Sequence, residues 1–162
     1  MQYSNTMKNN LKYYPQQRDY ACGPACLRMV FEHLGKKCSE EKLLKLCQTS
    51  EKYGTSHKHL INAIRNEKFK YYSKNKANLQ DLIKHVNSRY LTIINYVEPS
   101  SNEGHYAVVT GYTDDKKKII LADPYNGNNF TILWRELKGR WHNTNNTSHG
   151  WFVAVRREKI NI

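Results

Sequence analysis

The sequence predicts an α+β fold in which N-terminal helices pack on a C-terminal antiparallel sheet of about five or six strands. Three observations predict it. In the first half, apolar residues recur at helical spacing, as at Ala25, Cys26, Met29, Val30, Phe31 and Leu34. From residue 90 onward the apolar residues are β-branched or aromatic, in short runs broken by turn residues. Helices first and strands afterwards is the order of a segregated α+β domain, with the helices on one side of the sheet, rather than of alternating βαβ units.

The elements follow in order. Residues 1–12 are polar and rich in Asn and Lys, and are expected to form a loose arm. Residues 13–162 then make a single domain, a length that suits one core. The first helix has Pro24 in its opening turn, where a missing N–H costs nothing, and ends at Gly35. "SEEKLLKLCQ" is a second helix with Ser39 as N-cap, and "HKHLINAIRNE" a third after the Gly54-Thr55-Ser56 turn. "FKYY" is a short strand. "NLQDLIKHVNS" is a fourth helix in which Asn78 and Asp81 match a capping box. The strands "YLTIINYV", "HYAVVTGY", "KIILAD", "FTILW" and "WFVAVR" follow, with "WRELKGR" as a helical turn before the last. The closing "GWFVAVRREKINI" reads as a final strand with a charged tail, so the domain is expected to be complete.

Lys plus Arg number 26 against 14 Asp plus Glu, a net charge of +12. The basic residues are scattered and none lies in a nucleic-acid-binding motif, which argues against a nucleic-acid partner. A solvated basic surface, or the steering of an acidic partner, accounts for them. No apolar run approaches the roughly 18 residues of a membrane span, and the opening residues contain no apolar core of a signal peptide. The chain is therefore expected to be cytoplasmic and its four cysteines reduced. "CGPAC" followed by gaps of 12 and 9 to Cys38 and Cys47 is not a zinc or redox spacing, and no metal or cofactor is implied.

Cys22 precedes Gly23-Pro24 and the apolar-periodic run, so it stands in the first turn of a helix. Unpaired amides there favour a thiolate. Cys26, one turn further, falls among the core positions. The competing reading of Cys22 is a helix cap with an incidental cysteine. A nucleophilic thiolate needs a base, and the base an orienting group. Of seven histidines, His33, His57, His59 and His85 fall in predicted helices, and His142 and His149 in an Asn/Thr-rich loop. His105 opens a nearly all-apolar strand that should be central. The next strand ends at Asp123, and counting about the Asp114-Asp115 turn brings its carboxylate beside the His105 ring. Together these make a Cys/His/Asp set suited to nucleophilic catalysis. A satisfied His/Asp surface pair is the alternative. An oxyanion donor would complete the set, and either Gln16 or Gln17 stands where a turn could fold over the site.

The blocks "PQQRDYACGPACLRMVFEHLG", "YGTSHKHLINAI", "GHYAVVTGY" and "LADP", in that order, resemble the papain-like cysteine peptidases that process bacteriocin and peptide-pheromone precursors, the double-glycine leader peptidases. The likeness runs from about Gln16 to the end. It implies a papain-like fold, with Cys22 as nucleophile, His105 as general base and acid, and Asp123 as orienter. It also selects Gln16 over Gln17 as oxyanion donor. Many members carry Asp immediately before the nucleophile; this chain has Ala21, with an Asp at position 19. The resemblance implies cleavage of a peptide or leader after small residues such as Gly-Gly, and a membrane exporter as a possible partner. An acidic amphipathic leader would suit the basic charge. Deamidation or acyl transfer on the same triad is the nearest alternative, and a non-enzymatic peptide-binding domain the next.

Overall fold

The computed structural model describes residues 3–4 and 10–158. Its helices are α1 (Cys22–His33), α2 (Glu40–Leu46), α3 (His57–Asn66), α4 (Leu79–Val86) and α5 (Trp134–Arg140). The second to fourth begin where the chain supplies an acceptor for their unpaired amides: Ser39, Ser56 and Asn78 accept from Lys42 N, His59 N and Asp81 N. At α4 the bond is reciprocated by Asp81 Oδ2 at 3.0 Å, the capping box read from the sequence. Helix α1 differs. Its N-cap is Ala21, and no side chain covers its first-turn amides. It ends where Gly35 adopts φ +97°, the left-handed conformation a glycine C-terminal cap requires.

The strands are β1 (Tyr3–Ser4), β2 (Lys70–Lys74), β3 (Leu91–Val97), β4 (Gly104–Thr113), β5 (Lys118–Asp123), β6 (Gly127–Leu133) and β7 (Phe152–Arg156). They form one antiparallel sheet in the order β2-β7-β3-β4-β5-β6, with β1 alongside the far end of β4 at Tyr112 and Thr113. Most of the expected N-terminal arm lies outside the described residues. Of its described part, Tyr3–Ser4 is in the sheet and Leu11 is buried. The last strand enters the sheet between β2 and β3, pairing with both.

The sheet is covered on both faces, which corrects the expectation of helices on one side. Alternate residues on one face, among them Ile93, Tyr106, Val108, Ala122 and Val153, join a core with Leu27 and Phe31 of α1, Leu43 of α2, and Leu60 and Ile64 of α3. Those on the other, Ile94, Tyr96, Ala107, Val109, Leu121 and Phe152, pack with Leu82 and Val86 of α4 and Leu137 of α5. Two-sided burial explains why β3, β4, β5 and β7 read as continuous apolar runs rather than as alternating ones. Each fully buried Leu, Ile or Phe side chain contributes about 1.5–3 kcal/mol of transfer free energy. The outer strands β2 and β6, by contrast, are largely exposed or half-buried.

Two glycine substitutions should move stability in opposite directions. Gly150 has φ +59°, and a Cβ there would lie 2.8 Å from the backbone N and O of Ala77. Gly150→Ala is expected to cost about 1–3 kcal/mol from backbone strain alone. Gly139, inside α5, has open space where its Cβ would stand. Gly139→Ala should stabilise by about 0.5–1 kcal/mol. Urea unfolding of the two variants reads both signs.

Candidate active site

The site begins with an irregularity in the sheet. Near the β4–β5 hairpin, Tyr112 pairs with Ile119 and Gly111 with Ile120; further along, Val109 pairs with Leu121 and Val108 with Ala122. Thr110 is therefore an extra residue on β4, a β-bulge, and its hydroxyl donates to Ile120 O at 3.2 Å. Without that shift the outer register would set Asp123 opposite Val108, on the face away from His105. With it, Asp123 follows on opposite Ala107, on the face of His105 and two residues along. The two side chains meet diagonally rather than by the symmetric hairpin count, and His105 Nε2 lies 2.7 Å from Asp123 Oδ1.

Asp123 is completely buried, so its charge must be satisfied internally. Tyr96, the cross-strand partner of His105, donates its hydroxyl to Asp123 Oδ2 at 2.5 Å. Tyr125 N and Asn126 N both donate to Oδ1 at 2.9 Å. Burial pushes the carboxyl up, but the bonds from His105, Tyr96 and the backbone outweigh it and hold Asp123 below the ordinary range. The turn after Asp123 is tied in turn to Glu98. Its Oε1 accepts from Asn126 Nδ2 at 3.2 Å, and its Oε2 from Ser100 N, Ser100 Oγ and Ser101 N.

Cys22 opens α1, half-buried, and its thiol stands near enough to His105 to act on the charge of the imidazole. Because Nε2 faces Asp123, Nδ1 is the ring nitrogen left for sulfur. Burial pulls the imidazole down, yet the hydrogen bond to Asp123, the neighbouring Cys22 thiol and the charges of both raise it to about 10. The other three cysteines are buried, and loss of solvent pushes their thiols up, Cys47 to about 12. The exposed Tyr125 ring stands edge-on to His105, with centroids 6.2 Å apart.

Gln16 lies in the turn leading into α1. Its backbone N–H donates to Pro124 O at 3.0 Å, next to Asp123, and Tyr13 donates its hydroxyl to Asp123 O at 2.7 Å. The Gln16 Nε2 donates to Arg18 O and Asp19 O, each at 3.0 Å, while Oε1 is buried without a partner among the described residues. Gln17 is exposed, and its N–H is held by Glu40 Oε1 at 3.2 Å.

His57, read from the sequence as a helical residue, opens α3. Its ring stacks on Trp151 with centroids 3.8 Å apart, and Asn95 Nδ2 lies 3.1 Å from Nε2. Burial lowers it to about 4, so it is neutral at pH 7, and among the described residues no carboxylate pairs with its ring. Sequence reasoning missed Tyr96, Glu98 and Glu40. Tyr96 and Glu98 read as strand and loop residues, and Glu40 as one of two first-turn acids. Only the direction of each side chain separates it from its neighbours.

A model of the Peptidase_C39 like family matches residues 8–149. An uncharacterised protein of Methanothermobacter thermautotrophicus is 33% identical over 109 residues, covering 67% of this chain and 68% of that one. Among solved structures, the peptidase domain of Streptococcus ComA, a bi-functional ABC transporter involved in quorum sensing, superposes with a TM-score of 0.75 at 24% identity, covering 92% of this chain and all of that domain. A double-glycine-motif protease from an AMS/PCAT transporter, in complex with its leader peptide, gives 0.72 at 20% identity over 98% of this chain and 99% of its own. At these identities both likenesses are of fold. No helix among the described residues is long and apolar enough to cross a membrane.

Burial alone would raise Glu98, but its bonds from Ser100 and Ser101 hold it at about 2, against about 4.5 when exposed. A lowered carboxyl stabilises the fold above its unfolded value and loses that contribution as pH falls. Glu98→Gln should cost about 1.5–3 kcal/mol at pH 7. The gap from wild type should close as pH falls from about 5 towards 2, as read by urea unfolding across that range.

Proposed function

From the chain's membership of the Peptidase_C39-like family, we propose that it is a cysteine peptidase with Cys22 as nucleophile, His105 as general acid and base, and Asp123 as orienter. Gln16 and the Cys22 backbone N–H serve as oxyanion donors. The observation that carries the reading is the His105 ring, hydrogen-bonded to a buried carboxylate and near the one thiol of the four that is not buried. An imidazole held near 10 is protonated at pH 7, the state that accompanies a thiolate–imidazolium pair. The first-turn amides of α1, uncapped by any side chain, favour negative charge on that sulfur.

The chemistry follows in balanced steps. The Cys22 sulfur attacks the scissile carbonyl carbon, and the carbonyl oxygen takes up the charge beside the Cys22 N–H, with Gln16 Nε2 turning one of its two N–H bonds from a turn carbonyl towards it. His105 then gives its Nδ1 proton to the leaving amine as the C–N bond breaks, which leaves a thioester and a neutral ring. Part of what raises His105 is Cys22 itself. Once the sulfur is acylated that part is gone, and burial draws the ring back towards ordinary basicity. The same imidazole is then fit to take a proton from the water that hydrolyses the thioester.

The substrate proposed is a peptide cut after small residues such as Gly-Gly, by analogy with the double-glycine protease whose fold it shares. An acidic amphipathic leader suits a net charge of +12, and a membrane exporter is the partner the ComA likeness suggests.

The first test is alkylation by iodoacetamide followed by peptide mapping. At pH 6, Cys22 should be modified while Cys26, Cys38 and Cys47 are spared. In His105→Ala the rate at Cys22 should fall by at least about tenfold, the lower end of what general acid–base partners contribute. Equal reactivity of the four thiols, appearing only at high pH, would rule the catalytic reading out.

A further inference from the structure

We infer that Glu40, the first residue of α2, is a positioning residue that holds the Gln16 amide in place by gripping the turn on which it stands. The inference rests on the reading of Gln16 as oxyanion donor.

Glu40 is an unusual first-turn acid. An acid there needs only to lie at the surface near the positive end of the helix, as the exposed Glu41 does while pairing with Arg18 Nη2. The amides of α2 already have their cap in Ser39, which accepts from Lys42 N at 3.1 Å. Glu40 is instead turned inward and is only 3% exposed. Burying a carboxylate is costly unless hydrogen bonds replace its water. Its hydrogen-bond partners among the described residues belong to the turn after Gln16: Gln17 N at 3.2 Å from Oε1, and Arg18 Nη1 at 3.4 Å from Oε2.

That turn is held at consecutive amides from two directions. Gln16 N is fixed by Pro124 O, on the turn that follows Asp123, and Gln17 N by Glu40. The turn closes onto α1 through Ala21 N, which donates to Arg18 O at 3.0 Å. Arg18 O and Asp19 O are the acceptors that draw the Gln16 nitrogen to its position. Glu40 therefore acts on Nε2 at one remove, by setting where the Arg18 and Asp19 carbonyls stand. The Gln16 amide has little else to keep it there. Its Oε1 is buried without a partner among the described residues, so the Arg18 and Asp19 carbonyls are what hold the amide inward, and it is released once the turn relaxes.

Two probes of Cys22 separate positioning from structure. Iodoacetamide reacts by displacement at sulfur and needs no oxyanion donor. The dipeptide aldehyde glycyl-glycinal adds its carbonyl carbon to the sulfur, and its oxygen then takes the place the donors serve. Wild type, Glu40→Ala, Glu40→Gln, Gln16→Ala and the Gln16→Ala/Glu40→Ala double variant are compared for alkylation rate and for protection by the aldehyde, with thermal melts as a check of fold. In Glu40→Ala, alkylation should stay within about twofold of wild type while aldehyde affinity falls at least about tenfold, in the direction of losing an oxyanion donor. The double variant should bind the aldehyde no worse than Gln16→Ala, because both changes remove one interaction. Glu40→Gln, which keeps an oxygen for Gln17 N, should fall between, and it carries the test if the alanine variant does not fold.

Unchanged aldehyde affinity in folded Glu40 variants would overturn the inference while leaving the peptidase reading intact. So would an equal loss in both reactions. If Gln16→Ala leaves the aldehyde affinity of an otherwise reactive Cys22 untouched, the reading of Gln16 falls, and the role of Glu40 with it.

Discussion

The contact between His105 and Asp123 depends on one extra residue in β4. A strand alternates its side chains between two faces, so a shift of one residue moves every later side chain to the opposite face. The shift at Thr110 sets Asp123 on the face of His105 and of Tyr96, in adjacent strands. Tyr96 can then reach the carboxylate oxygen that His105 leaves free. The turn amides of Tyr125 and Asn126 complete its shell, and a fully buried charge becomes tolerable. The raised His105 and lowered Asp123 are consequences of that packing.

The same device recurs around the site. The chain is strongly basic, yet among the described residues Glu40, Glu67, Glu98 and Asp123 are buried. Glu67 is paired with Lys36 and Lys42. The other three accept backbone amides of nearby turns: residue 17 for Glu40, residues 100 and 101 for Glu98, and residues 125 and 126 for Asp123. A carboxylate offers several lone pairs to convergent N–H groups, and one bound to the backbone fixes a loop without a long hydrophobic anchor. These turns surround the end of the sheet where α1 begins. They are irregular in sequence and held in place by buried negative charge.

Helix α1 joins the two halves of the molecule. Its apolar residues Leu27, Val30 and Phe31 lie in the core beneath the first face of the sheet, while its N-terminal cysteine meets a histidine from β4. Close packing at Gly23 keeps this end tight: a Cβ there would lie 2.9 Å from Thr55 Oγ1 and 3.4 Å from the Tyr106 ring. The sulfur position is set by core packing on one side and by the imidazole on the other. Neither the helix nor the sheet defines the site alone.

The sequence by itself determined the local structure. Helical spacing, N-caps at Ser39, Ser56 and Asn78, and apolar strand runs depend on nearest neighbours along the chain, and these elements stand where they were read. It also singled out Cys22, His105 and Asp123 as chemically distinctive, because a cysteine in a helix's first turn and a histidine opening an apolar strand are local patterns, while Gln16 was separated from Gln17 only by the family resemblance. Tertiary structure alone decided how they meet. The bulge at Thr110 is marked in the sequence only by the lone strand glycine beside it, Gly111, which does not fix a register, and the expected symmetric hairpin led to the contact by a different register. Cover on the second face by α4 and α5 could not be separated from a one-sided arrangement, since an apolar run shows that a strand is buried but not by what. The insertion of β7 between β2 and β3, and the inward turn of Glu40 beside the outward turn of Glu41, follow from long-range packing. Adjacent residues of the same type carry the same local information, and only the surroundings built by distant parts of the chain tell them apart.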